Sequence, residues 1–108
     1  MKTVLITGSS RGIGAATCRR LAENYKIVIN YNNSKAEALL LLDEIRKVNP
    51  MSLAIKADVS KEDEVDYLFD TIEKNFGSVD ILINNAGKSY VGLIQDMEFD
   101  KWQEIINT

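Results

Sequence analysis

Thr7-Gly8-Ser9-Ser10-Arg11-Gly12-Ile13-Gly14 is the segment that most restricts what this chain can fold into. It follows Val4-Leu5-Ile6-Thr7, a short apolar run that reads as a buried strand. From Gly12 the spacing becomes helical, with Ile13, Ala16, Thr17 and Leu21 expected on one face and an end near Asn24-Tyr25. Glycines between a strand and a helix let the backbone approach a ligand with no Cβ in the way. The helix N-terminus adds free N–H groups and a partial positive charge, so the turn has the chemistry of a phosphate cradle. A glycine-rich connection that binds nothing is the plainer alternative. Strand before and helix after are the context in which the cradle is preferred.

The rest of the chain repeats the alternation. Lys26-Ile27-Val28-Ile29-Asn30-Tyr31 is β-branched and reads as a second strand. Ser34 and Glu37 form a candidate capping box, followed by Ala38, Leu41, Leu42, Ile45 and Val48 at helical spacing, with Pro50 as the stop. Leu53 to Ala57 is a third strand. Ser60 is the expected cap of a further helix, with Glu62 and Asp63 in its first turn. Val65, Leu68, Phe69 and Ile72 make its inner face, and Gly77 is the C-terminal stop. Val79 to Asn84 is a fourth strand, Asn85-Ala86-Gly87 a turn, and a last helix is expected from about Phe99 onward. This βαβαβαβ order predicts an α/β fold: a Rossmann-type, doubly wound parallel sheet with four strands in the order 3-2-1-4 and helices on both faces. In that order the Asn84-Asn85-Ala86-Gly87 turn ends beside the glycine turn, bordering the same crevice.

Several function classes are excluded or disfavoured. The net charge is −3 and the basic residues are scattered, which gives nucleic acid no electrostatic footprint. The absence of histidine removes His-based zinc sites and Ser-His-Asp triads from this stretch. Cys18, the lone cysteine, has no partner for an internal disulfide and reads as a small buried or half-buried helix residue. No apolar run approaches membrane-spanning length, and Met1-Lys2-Thr3 leads straight into a strand pattern with no leader signature. A cytoplasmic setting without membrane contact is expected, with 108 residues forming one domain.

The glycine turn, the Asp58-Val59 pair after the third strand and Asn84-Asn85-Ala86-Gly87 together resemble the short-chain dehydrogenase/reductase family. Its TGxxxGxG and NNAG hallmarks are both present, and the resemblance runs the length of the chain. It implies a nicotinamide dinucleotide held by Gly8, Ser10, Arg11, Gly12, Ile13 and Gly14 at the pyrophosphate. Asn32, Asp58 and Val59 would lie around the adenosine, with Asp58 accepting from the adenine amino group. Asn85, Ala86 and Gly87 would lie toward the nicotinamide half. The family's NAD users carry an acid at the end of strand two. Here Tyr31-Asn32-Asn33-Ser34 offers none, and Arg11 stands where NADP users carry a cation for the 2′-phosphate. The expected cofactor is therefore NADP(H). The wording is most similar to the 3-oxoacyl-acyl-carrier-protein reductases, which implies carbonyl reduction of a 3-oxoacyl thioester in fatty acid synthesis.

The resemblance also implies what this stretch lacks. The family's catalytic Tyr and Lys come as YxxxK on a helix after strand five, which is not expected in this stretch. Only Tyr31 and Lys35 match that spacing, and they lie at the adenosine end. Counting from Trp102, the family's catalytic Asn falls one position past Thr108, so Asn107 is its neighbour on the helix surface. The expectation is a cofactor-binding half that stops before the catalytic residues and is inactive alone. The competing expectation is a noncatalytic dinucleotide-binding or assembly module ending at Thr108. With strand four read as a bare edge bearing Ile81, Leu82 and Ile83, homo-oligomeric association is also expected, as in the tetrameric full-length family.

Overall fold

Every residue of the first strand, β1 (Thr3–Thr7), is buried, as a strand must be when helices cover both faces of its sheet. The computed structural model describes residues 1–85 and 90–93. β1 lies between β2 (Lys26–Tyr31) and β4 (Ile81–Asn84), and β2 pairs in turn with β3 (Ser52–Lys56). All four are parallel, giving the expected order 3-2-1-4. The helices are α1 (Gly12–Leu21), α2 (Lys35–Arg46) and α3 (Glu62–Phe76).

The sheet carries one more strand than the sequence predicts. β5 (Tyr90–Leu93) pairs antiparallel with β4, so the sheet reads β3-β2-β1-β4-β5. The bare β4 edge expected from the sequence is therefore covered, and it no longer argues for association between copies. Tyr90-Val91-Gly92-Leu93 escaped detection because it is short and a glycine interrupts it. The helix expected from about Phe99 lies outside the described residues.

Alternation along the strands divides the core. Val4, Ile6, Ile27, Ile29 and Tyr31 point to one face, where Ala15 and Cys18 of α1, Ala22 just after it, and Ala38, Leu41, Leu42 and Ile45 of α2 cover them. Leu5, Val28, Ile55 and Leu82 point to the other, against Val65, Leu68 and Ile72 of α3. The buried face of α1 is displaced by one residue from the expected one. Ile13 is 79% exposed, and Ala16 is exposed too. The helix sits so close to the sheet that small side chains (Gly14, Ala15, Cys18) face inward. Size decided the face, not hydrophobicity.

The caps also differ from their predicted form. Ser34 is the residue before α2, but its side chain makes no capping bond, so the box with Glu37 is not formed. α3 starts later than predicted, with Lys61 rather than Ser60 in the cap position. Gly77 does terminate α3, with φ +81. α2 ends at Arg46, leaving Val48 beyond it and exposed. Among the described residues no helix is long and apolar enough to cross a membrane.

The leucine run of α2 tests the packing directly. Leu41 is 3% exposed and Leu40 is 70% exposed. Leu41→Ala is expected to cost about 2–5 kcal/mol through the cavity it leaves. Leu40→Ala is expected to stay within about 0.5 kcal/mol. Urea denaturation of the two variants checks both.

Candidate functional site

Strand ends set the site. β1 and β4 stop level with each other, Thr7 opposite Asn84, and the glycine turn leaves the sheet at that point. Gly8 and Gly12 have φ of +57 and +65, values that L side chains adopt only with strain. Gly14 is needed for a different reason. A Cβ there would sit 2.7 Å from both the Asn85 amide nitrogen and the Ser9 Cα. The first helical bond of α1 runs from the Ala15 N–H to the Arg11 carbonyl at 3.4 Å. The N–H groups of Gly12, Ile13 and Gly14 therefore precede any acceptor within the helix and remain for a ligand.

Beneath the turn lies a layer of buried polar side chains. The Asn30 Oδ1 accepts from the Gly8 N–H at 3.3 Å, and its Nδ2 donates to the carbonyls of Ile55 at 3.4 Å and Ala57 at 3.1 Å. Asn30 also accepts the Ser9 N–H on its backbone carbonyl at 3.0 Å. Ser9 Oγ donates to the Ile6 carbonyl at 2.6 Å and accepts from the Asn30 N–H at 3.2 Å. Thr7 Oγ1 donates to Asn84 Oδ1 at 2.9 Å and accepts from the Asn85 N–H at 3.0 Å. The Asn85 amide then donates to the Gly8 carbonyl at 3.0 Å. Turn, strand ends and NNAG segment are thus one bonded unit.

A cleft of about 240 Å³ opens beside the turn, lined by Gly8, Asn30, Asn32, Ala57, Asp58, Val59 and Ser60. Asp58 Oδ1 accepts from the Ser60 hydroxyl at 2.7 Å and the Ser60 N–H at 3.0 Å. Those two bonds, the hydroxyl's first, hold its carboxyl below the ordinary carboxylate range. Both fall on Oδ1, so Oδ2 has no hydrogen-bond partner among the described residues. Ser60 thus serves Asp58 instead of capping α3. The Asp58 N–H itself is fixed by Glu64 Oε1 at 2.8 Å, tying the loop to the first turn of α3.

Of the residues the sequence singles out, Gly8, Asn32, Asp58 and Val59 come together at this cleft. Ser10, Arg11 and Gly12 follow at the turn and border a second cleft between α1 and α2. Ile13 projects into solvent at the start of α1. Asn85 meets the turn through Gly8, and Ala86 and Gly87 lie outside the described residues. Sequence reasoning assigned no role to Asn30 or Ser9. The signal was there for Asn30, a polar side chain in a β-branched strand that must be buried on both faces. Cys18 has no chemistry to offer: burial pushes its thiol up to about 11, against a smaller opposing effect of its hydrogen bond with Ser9.

Turn, strand order and crevice define a Rossmann-type dinucleotide-binding fold. The chain belongs to the short-chain dehydrogenase family, whose model matches residues 2–108. It is 41% identical over 108 residues to the 3-oxoacyl-acyl-carrier-protein reductase FabG of Staphylococcus epidermidis, covering 99% of this chain and 44% of that protein. It is 40% identical over 107 residues to 3beta-hydroxysteroid dehydrogenase 1 of Eggerthella lenta, covering 98% of this chain and 41% of that one. Among solved structures it resembles a dehydrogenase from Burkholderia cenocepacia with bound NADP, at TM-score 0.73 and 29% identity over 96% of this chain and 41% of that chain. The chain thus spans less than half the length of the curated relatives it matches.

Two outcomes follow from the geometry. Asn30→Ala removes the side-chain partners of the Gly8 N–H and the Ala57 carbonyl, and is expected to cost about 2–4 kcal/mol in urea denaturation. Ser60→Ala is expected to raise the Asp58 titration midpoint toward the ordinary carboxylate value, read by NMR of the side-chain carboxyl carbon. The sign follows from which form the fold favours. Ser60 stabilises the ionised carboxylate, so its contribution is present above the ordinary carboxylate pKa and is lost as pH falls through the lowered one.

Proposed function

We propose that this chain is the NADP(H)-binding half of a reductase that acts on carbonyl groups. The observation that carries the reading is the pairing of the bonded glycine turn with the adjoining cleft lined by Asn32, Asp58 and Val59. The N–H groups of Gly12, Ile13 and Gly14 suit a pyrophosphate, and the lack of a Cβ at Gly14 lets the head of α1 pack closely against Ser9 and Asn85. Ala57 and Val59 give the cleft apolar surface for a purine, and Asp58 Oδ2 is an acceptor for its exocyclic amine.

Charge chooses between the two nicotinamide cofactors. Tyr31 at the end of β2 is buried, and Asn32 and Asn33 after it are exposed and neutral, so no acid there claims the ribose hydroxyls. Arg11 is exposed at the head of α1 and supplies a cation for a 2′-phosphate. Bound there, NADPH would supply the hydride; the residues of this chain hold and orient it. For the substrate we favour a 3-oxoacyl thioester, as the name of the Staphylococcus epidermidis relative indicates. The steroid-named relative is nearly as similar over the same stretch, because that stretch is the cofactor half.

Titration of the chain with each cofactor tests the reading. NADP⁺ is expected to bind more tightly than NAD⁺, and Arg11→Ala to remove most of that difference, about tenfold, with little effect on NAD⁺. Equal affinity for the two in the unaltered chain would overturn the preference.

A further inference from the structure

The cleft between α1 and α2 has a volume of about 280 Å³, and Ser10, Arg11 and Gly12 form its end nearest the glycine turn. Ala15, Leu40 and Leu41 line its body, and four charged side chains border it: Arg11, Arg19, Glu37 and Glu44. Two of these cancel, since the Arg19 guanidinium meets the Glu44 carboxylate at 2.5 Å and pins α1 to α2. Arg11 and Glu37 remain. Among the described residues neither forms an ion pair, and both line the cleft. The capping role that would turn Glu37 back onto its own helix is not taken up, because the Ser34–Glu37 box does not form.

We propose that Glu37 sets the cofactor selectivity of this site by opposing Arg11. The inference rests on the proposed NADP(H) reading and adds a residue to it. A 2′-phosphate carries close to two negative charges at neutral pH. Placed on Arg11 it also stands at the mouth of the cleft that Glu37 borders, and the carboxylate repels it. NAD carries no charge at that position and does not feel Glu37. Selectivity is then a difference between one attraction and one repulsion, and the sequence sets it below what Arg11 alone would give. Glu37 is exposed, so water and salt weaken the effect without removing it.

NMR titration with NADP⁺ and NAD⁺, which reads dissociation constants into the millimolar range, tests this on the chain, Glu37→Gln and Asp43→Asn. Asp43 is exposed on the same helix but does not line the cleft, so its variant removes the same charge from elsewhere. Glu37→Gln is expected to tighten NADP⁺ about three- to fivefold at low ionic strength. NAD⁺ should be unchanged, Asp43→Asn should change neither, and the gain should shrink in salt. Unchanged NADP⁺ affinity in Glu37→Gln, or an equal gain in Asp43→Asn, overturns the proposal. So does weakened NAD⁺ binding in Glu37→Gln, which would make Glu37 an acceptor for ribose hydroxyls. The parent reading fails separately. A chain favouring NAD⁺ refutes the Arg11 preference while a gain of NADP⁺ in Glu37→Gln still supports the role of Glu37. A chain and variant that bind neither cofactor refute both.

Discussion

Asn30 is the side chain on which the geometry of the site depends. It is buried in a strand of Ile and Val, where an amide without partners would be heavily penalised. Its two ends instead reach the glycine turn and the exit of β3, at Gly8 and at Ile55 and Ala57. Apolar packing holds strands side by side, but it does not fix where a turn leaves the sheet. Directional bonds do. Through Asn30 the turn that would meet the pyrophosphate and the loop that would meet the adenine are kept at one spacing.

Ser9, Thr7 and Asn84 extend the same principle along the strand ends. Each is buried and hydrogen-bonded, and together they close a polar layer over an otherwise apolar core. The arrangement puts rigid, satisfied groups below the turn and leaves donors above it. The N–H groups of Gly12, Ile13 and Gly14 are thereby left without helical acceptors, while no buried side-chain group among the described residues lacks a partner.

The sequence made the architecture legible because strand and helix periods differ and the strands here are buried on both faces. β2 was read to the residue, and the order 3-2-1-4 followed from the βαβ pattern. The motifs that contain Gly8, Asp58 and Val59 pointed to residues that come together at one cleft. What escaped depended on distance in the chain or on close approach. β5 exists by pairing with β4, and its own four residues, broken by Gly92, are too short a run to announce a strand. The inner face of α1 is set by how near the helix lies to the sheet, so Gly14, Ala15 and Cys18 displaced the more apolar Ile13. Ser34 and Ser60 had the right residue type for caps, yet one makes no capping bond and the other bonds Asp58. Local propensity names the candidates; tertiary neighbours choose among them.

The N-terminal end of β1 carries a consequence for how the fold is reached. The Thr3 N–H donates to Asp80 Oδ2 at 2.8 Å, and the Asp80 N–H donates back to the Thr3 carbonyl at 3.0 Å. These partners are 77 residues apart, whereas β1, β2 and β3 join through successive short crossovers. As the chain is synthesised, β1 can gain β2 early but must wait for residues 80–84 to gain its other neighbour. Closing so long a loop is entropically slow. The central strand of the finished sheet is thus an open edge until residues 80–84 have emerged, and the Thr3–Asp80 clasp marks the moment that exposure ends.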